Sequence, residues 1–433
     1  MNMKTIFTAA ILLISTCVWA QIPSPGEMPT KAIVLTGGTA HLGNGEVMEN
    51  AAIGIENGKI TFVKQTGSVK LNPETADIID VTGKHVYPGF ISPNNTLGLT
   101  EVDAVRATND YAETGSFNPE VRALTSFNTD SRISPTVRSN GVLITQATPR
   151  SGRICGTSAV MHLDGWNWED AVLKADDGIH VNWPNRFQQT GWWAEPGPTK
   201  ANEKYDEQID ELGVFLKRAK AYSENPSAQF NQKMTACTGL FDGSQNLYLH
   251  VNDAKGIMES VLFAESVGAK KPVVVGANEA WLVVDLLSAK NIPVILERTH
   301  SLPSNADDDI DQPYKTAKAL FDNKITFCFD YAGDMEAMGS RNLPFAAGTA
   351  VAYGLKYEEA VKALTLNAAT ILGIGDICGS LESGKDATLF VSNGDALDAL
   401  TNDVTHAFIQ GRPIDLDNPQ KYLYRKYKAK SSE

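Results

Sequence analysis

Four times between residues 246 and 372 a short unbroken apolar run is followed by a stretch with helical spacing, and this order constrains the fold more than any other feature of the chain. "NLYLHV" precedes "DAKGIMESVLFAESVGA", "KPVVVGA" precedes "NEAWLVVDLLSAKN", "IPVILE" precedes a loop and "PYKTAKALFDN", and "ITFCFD" precedes a helical region ending in "ALTLNAATILG". Strands that are apolar without alternation are buried on both faces, and helices of 3.6-residue periodicity between them are the crossovers of parallel βα units. The order predicts a (β/α) barrel or an open parallel sheet.

The two ends of the chain read differently. From Lys31 to Val81 short alternating strands recur, and Asn57-Gly58 between Ile55 and Ile60 is the positive-φ pair of a tight hairpin. The same texture returns in "GSLESGKDATLFVSNG" and "VTHAFIQGRPIDL". A β unit split between both ends implies that the barrel is inserted into it, since the ends of a closed barrel lie close together.

At 433 residues and 42% hydrophobic content the chain can bury a large core. Its first 20 residues follow the order of a secretory signal: Lys4, an apolar run from Ile6 to Cys17, then Val18 and Ala20 before Gln21. Export to a periplasm, with a mature chain from Gln21, is the expectation; Thr16 before Cys17 fits a lipoprotein site poorly. No later segment reaches the ~20 apolar residues of a membrane span. Removing Lys4 with the leader leaves 38 minus 1 basic against 51 acidic residues, a net −14, which opposes binding to nucleic acid. Cys155, Cys237, Cys328 and Cys378 show no CxxC spacing; they read as mostly buried thiols, with one disulfide left open.

Several segments taken in order resemble the amidohydrolase superfamily, in particular its imidazolonepropionase-like and prolidase-like secreted members. They are "LTGGTAHLGNGEVMENAAIGIENGKI", "YPGFIS", "LHVNDAKGI", "FD" followed by "SRNLPFAAGTAVAYGLKYEEAVKALTLNAATILGIG", and "GSLESGKDATLFV". The resemblance implies an α/β fold, a distorted (β/α)8 TIM barrel set in a split N- and C-terminal β-sandwich. The expected divisions are a signal peptide at 1–20, sandwich at 21–87, barrel at 88–376 with a Trp-rich insertion at about 160–200, and sandwich and tail at 377–433.

In such enzymes one or two divalent metals at the barrel mouth lower the pKa of a bound water for attack on a carbon–nitrogen bond. The resemblance places the ligands on a strand-one His-x-His, a carboxylated Lys or a Glu on a middle strand, one His each on strands five and six, and an Asp on strand eight. Carried over residue by residue, the opening motif matches at Pro88 to Ile91, but Ser92 stands for its Asp, and Asn94 and Thr96 stand for the His pair. His250 stands at the strand-five position. Gly276 stands near the strand-six position, with Asn278 or Glu279 as oxygen donors beside it. Asp330 matches the strand-eight Asp, ligand and general base, and Asp334 is a nearby carboxylate. No metal-bridging Lys emerges between residues 141 and 246. Two ligands, His250 and Asp330, remain where zinc needs three or four. N-acetylglucosamine-6-phosphate deacetylases of the same superfamily can dispense with the strand-one pair, but keep a Glu and two histidines.

His41, His85, His162, His180, His300 and His406 show no ligand spacing and read as structural or exposed. Trp166, Trp168, Trp183, Trp192 and Trp193 crowd one segment, where the rings pack a subdomain or stack on a flat ligand over the mouth. "NADDDIDQP" lacks the alternate spacing of a calcium loop, and no GxSxG, HExxH, P-loop or GxGxxG element occurs. Two functional expectations stand. One is a hydrolase of non-peptide or dipeptide carbon–nitrogen bonds with a degenerate or mononuclear centre, zinc being the metal of choice. The other is an inactive homologue that binds a ligand or joins an intact amidohydrolase; a homodimer or hetero-oligomer suits either.

Overall fold

The computed structural model describes residues 24–192, 194–225 and 229–431, so the leader, Cys17 and Trp193 lie outside the described residues. Both chain ends build one eight-stranded sheet of the split β-sandwich. The N-terminal part supplies β1 (Ala32–His41), β2 (Val47–Glu56), β3 (Lys59–Gln65), β4 (Ala76–Asp80) and β5 (His85–Pro88). The C-terminal part supplies β16 (Leu389–Ser392), β17 (Val404–Ile409) and β18 (Arg412–Pro413). The sheet runs β18-β17-β16-β5-β1-β2-β3, with β4 also on β1. Asn57 and Gly58 turn the β2–β3 hairpin at φ of 50° and 80°, the left-handed pair that the sequence predicts.

The barrel sheet follows the order β6 (Phe90–Asn95), β7 (Val142–Ala147), β8 (Ile154–His162), β9 (Val172–Asn182), β12 (Asn246–Val251), β13 (Pro272–Gly276), β14 (Val294–Leu296) and β15 (Phe327–Phe329). A separate hairpin, β10 (Phe187–Trp192) with β11 (Glu195–Ala201), stands between β9 and the helix Tyr205–Glu224. Every barrel pairing is parallel except those of β8, which is antiparallel to β7 and to β9. This one reversed strand is the distortion. Residues 160–200, expected as an insertion, supply the end of β8, all of β9 and part of the hairpin.

Alternation along the strands separates two cores. Leu247, Leu249, Val274, Phe327 and Phe329 join the large cluster under the helices. Ile91, Ile144, Tyr248, Val273, Val275, Ile295 and Cys328 take the other parity and fill the barrel interior. His250 shares Tyr248's parity and Asp330 shares that of Cys328, so both side chains are directed inward. At the junction with the sandwich His41 Nδ1 meets Glu358 Oε1 at 2.8 Å and the hydroxyls of Tyr87 and Tyr357 lie 2.9 Å apart. The four described cysteines are buried and free, so no disulfide forms among them.

His162 ends the reversed strand in full burial, and neither ring nitrogen has a partner among the described residues. Burial pushes its pKa down to about 4; Asp386 and Asp170 oppose this and Arg412 adds to it. The proton therefore prefers the unfolded chain. Stability present above pH 6.5 is expected to fall as pH drops to about 4, by on the order of 3 kcal/mol from this ring. His162→Phe, which keeps an aromatic ring but removes the titratable, unpaired nitrogens, should flatten this part of the pH profile in urea unfolding; an unchanged slope would exclude His162 as its source.

Candidate functional site at the barrel mouth

The inward side chains of neighbouring strands form one hydrogen-bonded chain. Asp177 on β9 accepts from Ser158 Oγ at 2.6 Å, Gln146 Nε2 at 2.9 Å and Tyr248 OH at 2.6 Å, and all four residues are buried. Ser158 Oγ also lies 2.9 Å from His180 Nε2, and His180 Nδ1 lies 2.8 Å from His250 Nε2. Ser158 has one proton and gives it to Asp177, so His180 must donate from Nε2. A neutral His180 then accepts at Nδ1, and His250 donates from Nε2. The tautomers follow from this network, and they leave Nδ1 as the one free lone pair of His250.

Both rings are held neutral. Burial pushes His250 down to about 3 with the Arg150 charge as the second cause, while burial, His250 and Arg150 push His180 well below its usual value. Spacing alone groups His180 with the structural histidines, yet it stacks on Tyr248 at 4.4 Å and anchors His250. Its position on a barrel strand is the signal that spacing does not give.

Across the mouth, Asn94 Nδ2 donates to Asp330 Oδ2 at 2.7 Å, and the backbone N–H of Ala332 donates to Oδ1 at 3.0 Å. Burial, then the Glu297 charge, push Asp330 up to about 8, while Asn94, the Ala332 N–H and Arg150 pull it down. Asn94 sits at φ 48°, a left-handed conformation that Asn tolerates. Its Oδ1 is taken by Arg150 Nη1 and its carbonyl by Arg150 Nη2 at 2.7 Å, while the guanidinium also holds Glu336. Neither Arg150 nor Glu336 is among the residues that the sequence singles out; Arg150 lies three residues beyond β7, on the face where barrel sites are built.

The remaining expectations fare differently. Thr96 is buried beyond the end of β6. Gly276 has φ 92°, and a Cβ there would stand 2.2 Å from Asn252 Oδ1, so an imidazole does not fit without displacing Asn252. Glu279 does not face the centre: it accepts from the Ala254 N–H at 2.8 Å and from Asn305 Nδ2 at 2.8 Å, pinning a helix start and a loop. Asn278 bonds Glu297, whose carboxyl is raised chiefly by burial, and both line a small cleft with Trp281, Arg298, Leu302 and Gln312. Asp334 is exposed. Trp166 and Trp168 fall between the end of reversed β8 and the start of β9, which places them at the opposite end of the barrel from Asn94 and Asp330. They cannot stack on a ligand at the mouth. Trp192, on the hairpin, is 57% exposed, and Trp183 is buried with Nε1 on Tyr205 OH.

A divalent metal is what the fold leads one to test. Of the candidate donors, His250 offers only Nδ1, Asp330 is bonded to Asn94, Asn94 gives its oxygen to a guanidinium, and Gly276 offers nothing. No group of three or more His, Cys, Asp or Glu suited to a metal occurs among the described residues. This donor set does not fit an ordinary zinc site.

Residues 241–414 match the amidohydrolase family. An imidazolonepropionase from Thermoplasma volcanium is 36% identical over 88 residues, which are 20% of this chain and 21% of that protein. The alignment thus spans about a fifth of the curated relative. The crystal structure of an amidohydrolase from Thermotoga maritima superposes with a TM-score of 0.75 at 23% identity, covering 88% of this chain and 99% of that one. A Xaa-Pro dipeptidase with methionine bound in its active site superposes with a TM-score of 0.54 at 14% identity, covering 89% of this chain and 100% of that one. Residues 241–414 thus carry the amidohydrolase family pattern, and the chain shares the fold of the solved amidohydrolases. Among the described residues no helix is long and apolar enough to cross a membrane.

Proposed function

We propose that this protein is a non-catalytic member of its family, exported from the cell, that binds a small molecule at the barrel mouth or serves as partner subunit to an intact amidohydrolase. The observation that carries this reading is the engagement of both retained ligand candidates: His250 Nε2 is spent on His180 and Asp330 Oδ2 on Asn94. A carboxylate that accepts an amide N–H and is pushed up to about 8 is a weak ligand and is only partly ionised at neutral pH.

The second reading, hydrolysis of a carbon–nitrogen bond with a single metal, draws support from His250 Nδ1, which is uncommitted, and from the family. Metal analysis of mature protein purified without a metal-binding tag separates the two. The expected result is background zinc, iron and manganese, unchanged in His250→Ala and Asp330→Ala, with no turnover of amide or dipeptide substrates. About one metal per chain, lost in His250→Ala, would overturn the non-catalytic reading. Purification from the native host should recover an intact amidohydrolase if the partner role holds, and mass analysis of that material should place the mature N-terminus at Gln21.

A further inference from the structure

β6 and β15 are the two edges of the barrel sheet, and no backbone ladder joins them among the described residues. The seam is instead crossed by side chains at the mouth. Asn94, on β6, donates to Asp330, next to β15, and the Arg150 guanidinium binds Asn94 on one side and Glu336, the first residue of the short helix Glu336–Gly339 after β15, on the other. The contacts to Glu336 run from Nε at 3.0 Å and from Nη2 at 2.9 and 3.0 Å. Both side chains are largely buried, at 21% and 11% exposure.

In a barrel whose strand-one ligands and strand-eight Asp share an ion, that ion ties the same two edges. We propose that the Arg150 guanidinium is a tethered cation that replaces such an ion in its structural duty: it clamps strand one to strand eight and keeps divalent ions out. This inference rests on the non-catalytic reading above. A guanidinium suits the task because it stays charged in a protein and presents its donors in a rigid plane, so one group grips Asn94 and a carboxylate at once. Its charge acts on Asp330 and His250, the groups an incoming ion would have to use, and on His180 behind His250. A doubly charged ion entering beside it meets repulsion in a buried, poorly screened place.

The test restores the strand-one pair, Asn94→His with Thr96→His, and combines it with Arg150 intact, Arg150→Met or Arg150→Lys. The φ of 48° at residue 94 is a region that His also adopts. Zinc binding is measured by calorimetry and native mass spectrometry, and opening of the seam by hydrogen exchange in residues 90–96 and 327–336. With Arg150 intact no zinc should bind; with Arg150→Met about one per chain should bind, at least about 100-fold more tightly. In the otherwise unchanged protein Arg150→Met should speed exchange at both edges by about tenfold or more. Arg150→Lys keeps the charge but loses the fork, so it should still exclude zinc while loosening the seam. Zinc bound as tightly with Arg150 intact, or with Arg150→Lys, as with Arg150→Met would overturn the proposal, and so would edges whose exchange ignores Arg150→Met. Metal on the unaltered protein, by contrast, would sink the non-catalytic reading itself.

Discussion

Asp177→Ala is expected to destabilise the protein by about 3 kcal/mol or more. The substitution removes the acceptor of three buried donors, Ser158 Oγ, Gln146 Nε2 and Tyr248 OH, at 2.6 to 2.9 Å, and strands the last two. Each buried donor left without an acceptor costs about 1–3 kcal/mol. Against this, burial raises the pKa of Asp177, so its removal returns part of a desolvation cost. The stranded donors outnumber that single gain, and the net sign is a loss. A second consequence is local: Ser158, freed of Asp177, can donate to His180, which reverses the hydrogen-bond direction through His250. Urea unfolding measures the first effect and imidazole nitrogen shifts the second. A variant as stable as the parent, with unchanged shifts, would show that Asp177 does not organise the interior.

Asp164→Ala should cost a similar amount, about 3–5 kcal/mol, at the other end of the barrel. Arg138 Nη1 lies 2.8 Å from Asp164 Oδ1 and 3.0 Å from the carbonyl of Leu163, and both side chains of the ion pair are 6% exposed. Burial lowers the pKa of Arg138 and Asp164 opposes this. Removing the carboxylate leaves a guanidinium without its counter-charge in a poorly solvated place, and also frees the Gly26 N–H, which donates to Asp164 at 3.0 Å. Arg138→Met with Asp164→Leu should recover most of the loss, because a buried pair stabilises little relative to apolar groups of like volume while half a pair is costly. If the double variant is no more stable than Asp164→Ala, packing and not charge governs the site.

The distance between partners explains how much of the centre could be read from the chain. Asn94, Thr96, His250 and Asp330 are visible as residue identities at the positions where the resemblance expects ligands. What surrounds them is not. Arg150 reaches Asn94 across 56 positions and Glu336 across 186, and His180 reaches His250 across 70. Such pairs depend on strand order and register, which no local pattern encodes. Glu279 makes the same point in reverse: beside the strand-six position it reads as an oxygen donor, but the helix start at Ala254 claims it.

The sequence by itself determined the strand and helix order of the second half of the barrel, the Asn57-Gly58 hairpin, the division of the β domain between both ends, and the presence of Asn94 and Thr96 on the first barrel strand and just beyond it. These follow from periodicity, from backbone dihedral preference and from residue type, all of which act over a few residues. Only the tertiary structure decided that β8 runs against its neighbours, since an apolar run carries no direction. It alone placed Trp166 and Trp168 away from the mouth, tied His250 to His180 and set Arg150 beside Asp330. Those arrangements are chosen by which surfaces can be buried together once the sheet closes.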